Sequence, residues 1–195
     1  MKFDLRLLGA AAFAGLLSAC AAVDETPAEP TFYASMAKAE ARLDAKAAAS
    51  MISGYRRNHS LGSVQLDPLL MRAAERQSQA MARNNRFEHD AGGNFRTRIS
   101  ESGFHASVAV ENIGAGYHTL AEAFSGWRDS PPHNANMLKP GVTHMGIAAA
   151  YAPNSKYKVF WTLILAGVDE SGGKGGVPVM GAPEPKQKAR HPKKP

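Results

Sequence analysis

Three polar residues of this 195-residue chain stand where a scaffold presents side chains for chemistry: His89, Glu111 and His133. Glu111 is the most unusual of them. It interrupts the apolar run Val108-Ala109-Val110-Glu111-Asn112-Ile113, and a carboxylate in such a run loses its hydration unless something pairs with it. An imidazolium, an arginine or a metal ion would restore that loss. So would a set of backbone N–H groups around a purely structural carboxylate.

His133 follows Trp127-Arg-Asp-Ser-Pro-Pro. Ser130-Pro131 reads as an N-cap and a first helical residue, which places His133 in the first turn of a helix running to Leu138. The positive end of the helix dipole favours neutral imidazole there, the form that ligates a metal or accepts a proton. Plain bonding to the backbone of the cap is the other reading of His133. His89, in Arg-Phe-Glu-His-Asp, adds a second imidazole. Two histidines and one carboxylate match a His₂Glu metal site with an open position for water or substrate, zinc being the first candidate. The 22-residue separations on either side of Glu111 are not a short-range ligand spacing.

The remaining histidines have bland readings: His59, His105 and His118 in exits and turns, His144 at a strand start, His191 near the end of the chain. Met51, Met71, Met81 and Met137 read as core filler. Gly114-x-Gly116 is too short for a nucleotide loop.

The elements that must hold these residues are legible from periodicity and caps. Apolar residues at helical spacing from Met36 to Tyr55 predict a first helix over Ala34 to Asn58. Asp67-Pro68 opens a second. Asn94 to Ser102 is a short third, stopped by Gly103. Thr119-x-x-Glu122 is a capping box opening a fourth, which ends at Pro131-Pro132. Ser107 to Ile113, His144 to Tyr151 and Tyr157 to Ala166 read as strands, the last two joined as an antiparallel hairpin through Ala152-Pro153-Asn154-Ser155. Helices first and paired strands last make the class α+β, with helices flanking a small, mainly antiparallel sheet.

Composition bounds the partners. The net charge of +6 lies at the chain ends: residues 1–19 carry +1, residues 171–195 carry +5, and the 15 basic and 15 acidic residues of 20–170 cancel. A body with no net charge argues against nucleic acid as a partner. One cysteine rules out a disulfide framework and a cysteine-built zinc or iron–sulfur site. Leu7 to Leu17 is uncharged but far short of the ~20 residues a spanning helix needs, and has the length of a signal-peptide core. The following Leu17-Ser18-Ala19-Cys20 resembles a bacterial lipobox. That resemblance implies cleavage behind Ala19, lipidation of Cys20, a membrane as partner and, with Ala21 next, outer-membrane sorting toward the periplasm. Residues 1–19 then form a lipoprotein signal peptide, 20–31 a tether, 32–170 the folded body and 171–195 a Gly/Pro/Lys-rich tail. The tail is expected not to fold. It reads as a solubilising segment or as a basic arm for anionic envelope polymers.

Four blocks of the body together resemble a CAP domain, the superfamily of cysteine-rich secretory, antigen 5 and pathogenesis-related proteins, in its bacterial extracellular branch. They are Leu66-Asp67-Pro68-Leu69; Phe87-Glu88-His89 leading to Arg98-Ile99 and Gly103-Phe104; Glu111-Asn112-Ile113 with Gly116; and Trp127-x-x-Ser130-x-x-His133-x-x-Asn136-Met137-Leu138. The resemblance implies an α–β–α sandwich. It also implies a cavity lined by His89, Glu111 and His133, which binds divalent metal in some members. Ser130 stands where many eukaryotic members carry a second glutamate, and Ser130 and Asn112 are the residues expected to support the cavity. The disulfides of eukaryotic members are absent, so packing must hold the fold.

The function this implies is a lipid-anchored envelope module that binds an envelope ligand such as peptidoglycan, with a divalent metal as the implied cofactor. The alternative is an envelope hydrolase with Glu111 and His133 as catalytic residues. As a glycosidase it would use Glu111 as general acid, with Glu88, Asp90 or Asp129 as the second carboxylate. As a peptidase it would use metal-bound water. Lipid or sterol binding is a third reading that no residue selects.

Overall fold

In the computed structural model, residues 29–169 are described. The lipobox, most of the tether and the tail lie outside them.

After a 3-10 turn at Thr31–Tyr33, the order is α1 (Ala45–Asn58), β1 (Gln65–Leu66), α2 (Pro68–Asn84), α3 (Phe95–Ser102), β2 (Ala106–Ala115), α4 (Leu120–Arg128), α5 (Pro131–Met137), β3 (His144–Ala152) and β4 (Lys158–Val168). Side-chain caps set most of these starts. Asp44 accepts from the Ala47 amide, Asp67 from those of Leu69 and Leu70, and Asn94 from that of Thr97. Thr119 and Glu122 close a reciprocal capping box. Gly103, at φ 82°, ends α3 in the left-handed region that glycine tolerates.

The first helix begins eleven residues later than periodicity predicts. Glu40 is left-handed at φ 61°, and Met36 is instead buried in the core with its amide bonded to the His118 carbonyl. Tertiary contacts thus override the helical spacing of residues 34–44, and helix begins only where Asp44 caps it. The helix α4 stops at Arg128, short of the proline pair that opens α5. The two-residue β1 is too short to show an alternation in sequence.

The four strands form one sheet in the order β1-β3-β4-β2. β1 runs parallel to β3, while β3–β4 and β2–β4 are antiparallel. Successive side chains of a strand point to opposite faces, and β4 divides the core accordingly. Ile164 and Ala166 join Leu70, Ala73 and Ala74 of α2 and Ile99 of α3 on one face. Trp161, Leu163 and Leu165 join Ile52 of α1, Trp127 of α4 and Met137 of α5 on the other. The result is an α–β–α sandwich. The α2 face of β3 is lined by Gly146, Ala148 and Ala150, and α2 comes close because of it: a Cβ on Gly146 would stand 2.2 Å from the Leu70 carbonyl.

Candidate functional site

Glu111 and Asn112 sit at the middle of β2, opposite Ile164 and Leu163 of β4. Their side chains therefore serve opposite helix layers. Glu111 shares the face of Ile164, toward α2 and α3, with its side chain only 2% exposed. Arg98 of α3, whose side chain is fully buried, meets it there. One guanidinium nitrogen, Nη2, stands 2.9 Å from Oε1 and 2.7 Å from Oε2. The imidazole of His89 meets the same carboxylate, Nδ1 lying 2.9 Å from Oε1. Of the partners the sequence left open for Glu111, the fold thus supplies two, an arginine and an imidazole.

Both neighbours of Glu111 donate. A guanidinium has no acceptor, so the carboxylate must accept from Arg98. The assignment that satisfies the second contact puts the His89 proton on Nδ1. The His89 side chain is 38% exposed while Glu111 is not, so a buried carboxylate orients a ring that solvent and ligands can reach.

The loop carrying His89 is held by two buried side chains. Gln77 of α2 donates from Nε2 to the Glu88 carbonyl at 2.7 Å and accepts at Oε1 from the Gly92 amide at 2.8 Å. Arg98 donates from Nη2 to the His89 carbonyl at 3.0 Å and from Nε to the Gly93 carbonyl at 2.9 Å. The same guanidinium therefore fixes both the loop and the carboxylate. Its Nη1 has no acceptor among the described residues, and the guanidinium carbon lies 5.3 Å from the Phe95 ring centroid, a cation–π contact.

On the other face, Asn112 donates from Nδ2 to the His133 carbonyl at 2.9 Å. Asn136 donates from Nδ2 to Asn112 Oδ1 at 2.9 Å and to the Glu111 carbonyl at 3.1 Å. Trp127 Nε1 donates to the Ile113 carbonyl at 3.0 Å. β2 is an edge strand, and these bonds supply its outward carbonyls, which a sheet edge otherwise leaves open. His133 is the third residue of α5 and is buried. Ser130 takes the N-cap position with extended backbone, but its side chain makes no capping bond.

A second buried arginine holds α5 in place. Arg56 of α1 donates to the carbonyls of Gly62 at 2.9 Å, Met137 at 2.8 Å, Lys139 at 3.0 Å and Val142 at 3.3 Å. Burial pulls its pKa down from the usual arginine value, and the carbonyls take the place of a counter-ion.

His89 and Glu111 are therefore brought together, while His133 is buried in α5, where Asn112 bonds its carbonyl. Among the described residues, no group of three His, Cys, Asp or Glu side chains is placed to hold a metal ion. Arg98 takes the place at Glu111 where the sequence allowed a metal cation, and a divalent ion there would face a guanidinium. The donor set as arranged does not fit the implied metal. The candidate second carboxylates lie at the surface: Glu88 is paired with Arg86, and Asp129 with Arg128. The bond from Arg128 lowers the Asp129 pKa, whereas burial, with Asp129 nearby, raises that of the Tyr117 phenol. Sequence reasoning did not single out Arg98 as a site residue. The signal available was an arginine beside Ile99 on the inward face of a short helix.

Comparison with known proteins identifies the family. The family model described as CAP, cysteine-rich secretory protein family, matches residues 49–165, more than half of the chain. The uncharacterized protein YkwD of Bacillus subtilis (strain 168) is 29% identical over 122 residues, 62% of this chain and 48% of that protein. The chain thus spans about half the length of this curated relative. An extracellular protein containing a SCP domain from Bacillus anthracis str. Ames superposes with a TM-score of 0.55 at 25% identity, over 63% of this chain and 39% of that one. An outer surface protein from Borrelia burgdorferi shares the fold, with a TM-score of 0.57 at 18% identity over 65% of this chain and 93% of its own. The chain belongs to the cysteine-rich secretory protein (CAP) family.

Proposed function

We propose that this protein is a CAP-family binding module of the cell envelope, tethered through a lipid on Cys20 and facing the periplasm. It reads an envelope polymer such as peptidoglycan at its His89 face. The observation that carries this reading is the buried Glu111 carboxylate, held by Arg98 and aligning an exposed His89. The buried carboxylate fixes the orientation of this exposed ring before a ligand arrives. The descriptions of two structural relatives as extracellular and outer surface proteins support the location. Among the described residues no helix is long and apolar enough to cross a membrane, and the lipobox supplies the attachment.

Co-sedimentation with purified cell-wall sacculi tests the binding. Wild type is expected to sediment with sacculi, and His89→Ala to lose at least about tenfold in affinity, roughly 1.4 kcal/mol. Equal sedimentation of the two would sink the reading.

A second reading is favoured by the same contact: a buried carboxylate behind an imidazole is how a general base is held. In an envelope hydrolase of this kind His89 would move the proton. Glu111 would orient the ring rather than act as the acid, since it accepts from two donors. Mass spectrometry of sacculi incubated with the protein separates the readings. Soluble fragments released by wild type and not by His89→Ala would establish hydrolysis.

A further inference from the structure

Away from His89, a cleft of about 330 Å³ opens between the C-terminal end of α2 and the turn joining β3 to β4. It is lined by Arg83, Asn85, Tyr151, Pro153, Asn154 and Ser155, with Ala82 and Ala152 completing it. Nothing in the His89 reading uses it.

The cleft is built, not incidental. Ser155, 4% exposed, donates to Asn85 Oδ1 at 2.6 Å across 70 residues of sequence and so locks the turn to the end of the helix. Lys158 Nζ bonds the Pro153 carbonyl at 2.6 Å, bracing the turn from its other side. Asn85 and Lys158 are both left-handed, at φ 48° and 62°. For a side-chain-bearing residue that conformation is costly, and it persists where the surroundings hold it, often at binding sites.

The lining also specifies a chemistry. Among the described residues Arg83 pairs with no carboxylate; its contact is with the neutral Gln79 Oε1 at 3.3 Å. Residues 151–160 contain two lysines and no acid. Tyr151 is one of three large hydrophobic residues left exposed among those described, and it offers a flat apolar face beside the amide of Asn154. A guanidinium, an aromatic face and amides together suit a compact ligand bearing one anion, one apolar face and hydroxyl or amide groups. The volume is at the small end of the ~300–1,000 Å³ usual for ligand sites, so it takes one ring-sized unit. The carbonyls at the end of α2 carry partial negative charge, which disfavours a phosphate dianion relative to a carboxylate.

We infer that this cleft binds a single carboxylate-bearing amino-sugar unit, with the carboxylate on Arg83 and the sugar ring against Tyr151. The choice of an amino-sugar unit rests on the envelope reading proposed above, while the cleft itself is separate from His89.

Isothermal titration of the full chain with N-acetylmuramic acid, N-acetylglucosamine and D-lactate tests it, with amide NMR shifts to locate the site. N-acetylmuramic acid is expected to bind and to move the resonances of residues 82–85 and 151–155. The two probes that lack either the carboxylate or the ring should bind at least about tenfold more weakly, as each forgoes one of the contacts. Arg83→Gln and Tyr151→Ala, both at exposed positions, should each weaken N-acetylmuramic acid by a similar factor, with circular dichroism confirming the fold. Arg57→Gln, exposed on α1 and outside the cleft, should bind it as wild type does, which separates the Arg83 contact from a general loss of positive charge. No heat from N-acetylmuramic acid at millimolar concentration would overturn the inference. So would equal binding of N-acetylglucosamine or D-lactate, or unchanged affinity in Arg83→Gln.

Discussion

Glu111 and Asn112 are adjacent in the chain and face opposite layers of the sandwich. Glu111 is bonded to Arg98 and His89 on the α3 side, and Asn112 to the His133 carbonyl and Asn136 on the α5 side. One dipeptide in an edge strand thereby ties both helix layers to the sheet. The alternation of a strand makes this possible, and a displacement by one residue would exchange the two faces.

The Glu111–Arg98 pair is buried on both sides, so removing one partner strands a charge. Arg98→Met is expected to cost about 3–5 kcal/mol in urea unfolding. The double variant Arg98→Met, Glu111→Leu should recover much of that loss, with a coupling of about 1–3 kcal/mol between the sites. Additive losses would show that the pair contributes nothing as a pair.

Metal binding is expected to be weak at this site. Zinc titrated into the protein should show no stoichiometric binding that depends on both His89 and His133, because Arg98 occupies the Glu111 carboxylate. Saturable binding abolished by either His89→Ala or His133→Ala would require Arg98 to withdraw from Glu111.

Gly146→Ala should be among the most damaging single-methyl changes in the chain. The new Cβ would fall 2.2 Å from the Leu70 carbonyl and 2.5 Å from the Met71 nitrogen, both backbone atoms that cannot move aside alone. Overpacking typically costs about 1–3 kcal/mol, and displacement of α2 puts this case at the upper end or beyond. Gly62→Ala, where the added methyl meets nothing within 4 Å, serves as the control in thermal unfolding.

Asp44 contributes to acid sensitivity. Its pKa is lowered chiefly by the bond from the Ala47 amide and then by that from the Thr31 hydroxyl. A carboxylate depressed on folding stabilises above its unfolded value, near 3.8, and loses that contribution as pH falls through the lower folded value. Asp44→Asn should therefore flatten the fall in Tm between roughly pH 5 and 2, a window set by linkage. Parallel curves for variant and wild type would show that the cap does not titrate with folding. The group is solvent-exposed, so the effect is a small share of the whole.

Local chemistry made much of this protein legible from its residues alone. The caps at Asp67 and Thr119, the stop at Gly103, and the turn after β3 depend on contacts within a few residues, and each is found where the sequence puts it. The prominence of Glu111 was likewise visible, as a charge in an apolar strand. Tertiary structure decided what lies opposite. Arg98 comes from a separate helix, His89 from a loop held by Gln77 and Arg98, and His133 from α5, whose backbone Asn112 ties to β2. Periodicity says which residues turn inward but not which inward residues meet, because that depends on strand order and on how closely helices approach. The same limit explains the late start of α1, where burial of Met36 outweighs helical spacing, and the two-residue β1, which exists only because β3 is beside it.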